Sequence, residues 1–239
     1  MIDRELDIQT RDGEMNTFIT HPEEDSPHPL LVFLMDAPGK REELHDMARR
    51  FGSAGYYVML PNLYYRQVRE FKLATEGREK MHEHMDSLSN AMVCEDIATL
   101  LTFAVSDSAA RSGKIGCVGY CMSGPFAFAA AAAFPDRIAA SASLHGVSLF
   151  SDNPDSPHLD AGKIKGEMYF GCAETDEYAP RQMIDDLEIT LASSGINSRI
   201  EWYPGTFHGF VFPSRQGKYN KAAAERHWER LLAMYRRCL

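Results

Sequence analysis

Cys121, Asp176 and His208 are the residues of this chain whose types and settings could together carry out covalent chemistry. Cys121 lies in Lys114-Ile115-Gly116-Cys117-Val118-Gly119-Tyr120-Cys121-Met122-Ser123-Gly124-Pro125, ahead of an alanine-rich run from Phe126 to Phe134. This pattern reads as a short apolar strand, a sharp turn and a helix, with a thiol at the apex. Such an elbow needs small residues around the nucleophile so that the turn can close. Gly119 and Gly124 supply them, with Ser123 at the downstream position where glycine is more usual. The N-terminus of the following helix would favour the thiolate over the thiol, and a thiolate attacks electrophilic carbon. The competing reading of Cys121 is a buried structural cysteine, since free Cys packs as a small hydrophobe.

A thiol that acts as a nucleophile needs a base, and the base needs a group to orient it. The strand-like run Met168 to Cys172 leads into an acidic loop that holds Glu174, Asp176 and Glu177 ahead of Pro180. A second run, Ile200 to Tyr203, leads through Gly205-Thr206-Phe207 to His208-Gly209-Phe210. In this reading His208 takes the thiol proton and later returns it to the leaving group, while Asp176 fixes the imidazole tautomer. Glu174 competes with Asp176 as the orienting acid, and Asp176 could instead cap the helix that follows.

The elements that must position these residues alternate along the chain. Glu5 to Pro22 alternates polar and apolar residues around Asp12-Gly13, which predicts an antiparallel hairpin at a sheet edge. Leu30 to Met35 reads as a buried strand, Arg41 to Gly55 as a helix and Tyr56 to Leu60 as a second strand, a right-handed parallel crossover. A polar stretch from Glu70 to Asn90 precedes a helix over Met92 to Val105 and then the elbow unit. Strands are expected at Ala139–Leu144, Glu167–Cys172 and Ser198–Tyr203, with helices at Arg181–Ser194 and Tyr219–Arg237. The expected architecture is α/β: one domain over residues 1–239, with a doubly wound, mostly parallel sheet between two helix layers.

With 44% hydrophobic and 25% charged residues the chain has ordinary globular composition, and its net charge of -9 argues against nucleic acid or an anionic membrane as partner. A small molecule is the expected partner, the protomer is expected to be a monomer, and the N-terminal sequence leads us to expect a cytoplasmic protein. The five cysteines are odd in number and form no CxxC pair, so reduced thiols are expected and neither a disulfide framework nor a zinc ribbon fits. Met81-His82-Glu83-His84-Met85-Asp86 invites a metal reading, but residues two apart on a helix do not face one another and no HExxH pattern is present. We therefore expect a solvated helix face there, and neither a metal nor an organic cofactor.

The sequence as a whole resembles the dienelactone hydrolase family of α/β-hydrolases. The resemblance is carried by Gly119-Tyr120-Cys121 with Gly124, Asp176 with Pro180, His208-Gly209-Phe210, and Gly55-Tyr56 through Pro61-Asn62-Leu63-Tyr64. It implies an α/β-hydrolase fold and an ester or lactone hydrolase with Cys121, Asp176 and His208 as catalytic residues. It also implies an oxyanion hole formed by the backbone N–H groups of Met122 and Ala37. In the founding members a glutamate after the third strand contacts the resting thiol, and the corresponding residue here is Asp36, one methylene shorter. Those members bind a substrate carboxylate through arginines, one of them four positions beyond the histidine, where this chain has Phe212. Arg66, Arg78, Arg181 and Arg215 are the candidate replacements. His145, at the end of the strand after the elbow helix, is expected near the pocket mouth or as a polar strand cap, and Tyr64, Tyr65, Phe210 and Phe212 are open as pocket residues. The alternatives to dienelactone hydrolysis are a general carboxylesterase or thioesterase, and a non-catalytic relative that binds a ligand or senses oxidants through Cys121.

Overall fold

The computed structural model describes residues 1–24 and 26–239. The chain opens with the expected hairpin, β1 (Ile2–Thr10) and β2 (Gly13–His21), paired in antiparallel register from Ile2 opposite His21 to Thr10 opposite Gly13. There follow β3 (His28–Leu34), α1 (Glu42–Ser53), β4 (Tyr57–Pro61), α2 (Leu73–Asp86), α3 (Asn90–Ser106) and β5 (Ala110–Tyr120). A 3-10 turn over Cys121–Ser123 leads into α4 (Gly124–Ala133), then β6 (Ile138–Leu144), β7 (Glu167–Thr175), α5 (Arg181–Ser194), β8 (Ser198–Phe207) and α6 (Lys221–Cys238). The eight strands form one sheet in the order β1-β2-β4-β3-β5-β6-β7-β8, parallel from β4 to β8.

The central strands carry almost unbroken apolar runs because both faces of the sheet are covered. Every residue of β4 is buried, as is all of β3 except Pro29. Two glycines of β5 reveal the two covering layers. A Cβ at Gly116 would meet the Tyr235 ring of α6, whereas one at Gly119, three residues on and so on the other face, would approach Ala127 of α4. On the α6 side Phe51 of α1 packs on Trp228 at 4.6 Å between ring centroids. This is the three-layer α/β-hydrolase-like arrangement expected from the sequence, with the antiparallel hairpin at one edge. Among the described residues, no single helix is long and apolar enough to cross a membrane.

The polar stretch before α3 folds as α2, broken at Gly77, which has φ of 84°. The expectation of a solvated face here is corrected at one residue. His82 is exposed, but His84 is buried, stacked on Tyr64 at 5.1 Å and bonded through Nδ1 to the Gln67 side chain.

The order of the strands places the chemistry. From β3 the chain crosses to β4 on one side, and it later returns to β5 on the other, so the order in which strands are laid down reverses between β3 and β5 while the strands stay parallel. Their C-terminal ends lie side by side, with Leu34 paired to Gly119. Ligands gather at such a switch point, beyond the carboxyl ends of the strands.

Candidate active site

Cys121 has a positive φ of 55°, a left-handed backbone conformation that is uncommon outside glycine. Its neighbours enforce it. A Cβ at Gly119 would overlap the Ser123 carbonyl, and one at Gly124 would overlap the Ser143 hydroxyl and the backbone of Gly146. Ser123, where glycine was the more usual choice, is fully buried and adds a lock: its hydroxyl accepts from the Tyr120 N–H at 2.9 Å and contacts the Leu34 carbonyl at 3.1 Å. The last contact ties the elbow to the end of β3. The thiol is left at the apex, only 9% exposed.

His208 follows β8 and is 4% exposed. Its Nδ1 lies 2.8 Å from Asp176 Oδ2, so the neutral ring carries its proton on Nδ1 and directs the Nε2 lone pair away from the carboxylate. The Asp176 carboxylate serves two purposes at once. Its Oδ1 accepts from the N–H groups of Tyr178 and Ala179 at 2.9 and 3.1 Å, which holds the loop, while Oδ2 holds the ring. Glu174 does not compete, because its Oε2 accepts from the Gly205 N–H at 2.8 Å and ties the β7 loop to β8. Nε2 of His208 is buried and has no hydrogen-bond partner among the described residues, yet the Cys121 thiol is close enough to influence its titration. Burial opposes charge on this ring, but the Asp176 bond and the neighbouring Cys121 outweigh it and lift the pKa to about 9. The other four thiols, Cys94, Cys117, Cys172 and Cys238, are pushed up by burial, the first three to about 12.

The ring of His208 is held between two others. His145 packs edge-on at 4.8 Å on one side and Tyr178 at 4.9 Å on the other. His145 has φ of 38°, is 1% exposed, and neither ring nitrogen has a hydrogen-bond partner among the described residues. Burial, reinforced by the nearby charges of His208 and Arg215, holds its pKa well below the usual histidine value, so it stays neutral. It lines the floor beneath His208 rather than a pocket mouth.

Ala37 and Met122, the two residues expected to supply oxyanion donors, are both touched by one side chain. The Tyr64 hydroxyl donates to the Ala37 carbonyl at 2.9 Å and lies 3.2 Å from Met122 Sδ. Among the described residues the Ala37 N–H makes no hydrogen bond. Tyr64 thus fixes the strand end that bears this donor, a role the sequence left open. The arrangement as a whole offers a thiol, a base fixed by a carboxylate, and, among the described residues, an unpaired backbone donor at Ala37 beyond the end of β3.

Comparison with known proteins identifies the family. The model of the dienelactone hydrolase family matches residues 15–239. The chain belongs to the dienelactone hydrolase family. It is 27% identical over 217 residues to the carboxymethylenebutenolidase of Rhodococcus opacus, covering 87% of this chain and 81% of that one. It is 26% identical over 241 residues to the carboxymethylenebutenolidase of Pseudomonas putida, covering 97% and 95%. A protein from Klebsiella pneumoniae crystallised as a candidate dienelactone hydrolase superposes with a TM-score of 0.89 over 98% of both chains, at 21% identity. This dienelactone hydrolase family member is an ester or lactone hydrolase acting on a small molecule.

The departures from the family pattern lie around Asp36. Its fully buried carboxylate is bonded by Arg41, through a short contact from Nη1 and a second from Nη2 at 3.3 Å, and by Arg215 Nη2 at 3.1 Å. No hydrogen bond to Cys121 is among these, so the expected contact with the resting thiol is replaced by a two-arginine clamp. Arg215, expected as a substrate ligand, spends its charge on Asp36. Phe212 is also corrected: it is fully buried, lies under the guanidinium groups of Arg41 and Arg215 at 5.4 and 5.5 Å, and supports His145 at 5.6 Å. Arg66 is bonded to Asp12 at 2.8 Å and to both oxygens of Asp96 at 2.8 and 2.9 Å. Arg181 lies over the Trp202 ring at 4.6 Å, and Arg78 is exposed on α2. Tyr65 bonds Thr10 and Asp96, and Phe210 is buried against Tyr203 and His145. Sequence reasoning missed Arg41, the principal partner of Asp36, and Tyr178. Neither belongs to a motif, and each is found only once the loops are in place.

Proposed function

We propose that the protein cleaves a small ester or lactone through a Cys121 thioester. The observation that carries this reading is the pairing of His208 with Asp176 beside a thiol held at φ of 55° at the sheet's switch point. His208 Nε2 receives the thiol proton, and the imidazolium so formed is favoured by Asp176 and the neighbouring Cys121, which lift the ring's pKa to about 9 against its burial. The thiolate attacks the carbonyl carbon, a C–S bond forms, and the carbonyl electron pair moves to oxygen. The N–H groups of Met122 and Ala37 receive this oxyanion, and losing one such donor typically costs about 100-fold to 1000-fold in rate. Collapse expels the alkoxide, which takes the proton from His208 Nε2 and leaves the acyl group on sulfur. Water then gives its proton to His208 and its oxygen to the acyl carbon, and the second collapse releases the acid and restores the thiolate. For a lactone, alcohol and acid leave as one molecule.

The relatives named carboxymethylenebutenolidase support a lactone as one substrate type, and activated esters are the direct probe of the chemistry. Hydrolysis of 4-nitrophenyl acetate should fall by about 1000-fold or more in both Cys121→Ala and His208→Ala, as when members of a cooperating nucleophile–base set are removed. Turnover that survives Cys121→Ala would refute the thioester route.

A further inference from the structure

Beside the elbow lies a cleft of about 190 Å³ that reaches Met122. Its walls combine apolar residues, among them Leu88, Pro125, Phe126 and Val147, with serine and asparagine side chains such as Ser148 and Asn153, and the Val147 N–H bonds the Cys121 carbonyl at 3.2 Å, which sets this wall against the nucleophile's backbone. The only charged residues among its described lining are Asp86 and Asp155, both exposed at the rim. Against His208 stands the Tyr178 ring, 54% exposed and next in the chain to the exposed Glu177. Every arginine that could answer a substrate carboxylate is committed or distant. Arg41 and Arg215 neutralise Asp36, Arg66 neutralises Asp96, Arg181 covers Trp202 and pairs with Asp185, and Arg78 points from the exposed face of α2. Drawing Arg215 to a ligand would strip a fully buried carboxylate of one of its two partners, a costly exchange.

We propose that the substrate is an uncharged ester or lactone, with apolar groups flanking the carbonyl, and that an anionic one is rejected. The inference rests on the Cys121 reading above. A carboxylate entering this cleft would lose water without gaining a cation and would meet two like charges at the rim. The apolar residues of the walls and the exposed Tyr178 ring reward the opposite kind of substrate, by area removed from water.

The test compares isosteric pairs on the intact protein. For the acyl side these are 4-nitrophenyl valerate and mono-4-nitrophenyl glutarate; for the alcohol side, 4-acetylphenyl valerate and 4-carboxyphenyl valerate. We expect the neutral member of each pair to have at least a tenfold higher kcat/KM, and we expect Asp86→Lys to narrow the gap severalfold, an effect that added salt removes. Equal rates or an anionic preference in the wild type, or a ratio that Asp86→Lys leaves unmoved, would overturn the proposal while leaving the thioester route standing. Absence of turnover for all four esters would overturn both.

Discussion

The pKa of His208 is raised to about 9, against the penalty of its burial, by the hydrogen bond it donates to Asp176 and by Cys121. Replacing Cys121 by Ala removes one of these supports, so the His208 pKa should fall, and Asp176→Asn should lower it further; NMR titration of the ring would show both. The same shift has a consequence for stability. A histidine whose folded pKa exceeds the unfolded value of about 6.5 contributes its full stabilisation below that pH and loses it as the pH rises through the folded value. The advantage of the wild type over His208→Asn in urea denaturation should therefore be greatest near pH 6 and should shrink by pH 9.5. Cys121, Asp176 and His208 were legible in the sequence because each sits among small residues at a strand end, in an order that fits a single chemistry. Asp36 was misread for a physical reason: one of its partners, Arg215, lies 179 positions away, and no local pattern signals a carboxylate already spoken for.

The clamp on Asp36 joins three elements. Arg41, just before α1, also bonds Glu43 at 2.7 Å, and Glu43 in turn accepts from the Ser214 N–H and hydroxyl at 2.8 Å each. The end of β3, the start of α1 and the loop that follows His208 are thus held by one ionic network, within reach of the Ala37 donor on one side and the histidine on the other. Removing the buried carboxylate leaves two cations facing one another. Asp36→Ala should cost about 3–5 kcal/mol of unfolding free energy, the usual penalty for breaking a buried pair, and Asp36→Asn less. Denaturant titration checks this, and an unchanged midpoint in Asp36→Ala would count against the network. The elements themselves were read well where apolar runs are continuous, as in β3 and β4, or where the hairpin alternates around Asp12-Gly13. The segment before α3 was harder. Its helix is interrupted at Gly77, and its inward face combines the buried His84, which packs on Tyr64, with the half-buried Met81 and Met85, so an imidazole interrupts the apolar pattern.

At the scale of the whole molecule, eight strands and two helix layers converge on one switch point, and the five cysteines divide accordingly. Four have thiols pushed up by burial, while Cys121 stands beside a histidine with a raised pKa. Titration of the folded protein with a disulfide reagent near neutral pH should show one fast thiol, lost in Cys121→Ala, with the other four reacting only after denaturation. Several fast thiols would contradict this division. The alternation of elements made the architecture readable from the sequence, but the charge balance at the site was not. An excess of acid over the chain does not reveal that the nearest arginines are already neutralised, and that fact shapes substrate choice. The central claim is the covalent intermediate. The most direct test is to quench the protein with acid during turnover of 4-nitrophenyl valerate and weigh it intact and after digestion. A valeryl group is expected on the peptide that bears Cys121, absent in Cys121→Ala and accumulating when deacylation is slowed. Turnover at the wild-type rate with no acyl group on that peptide would contradict it.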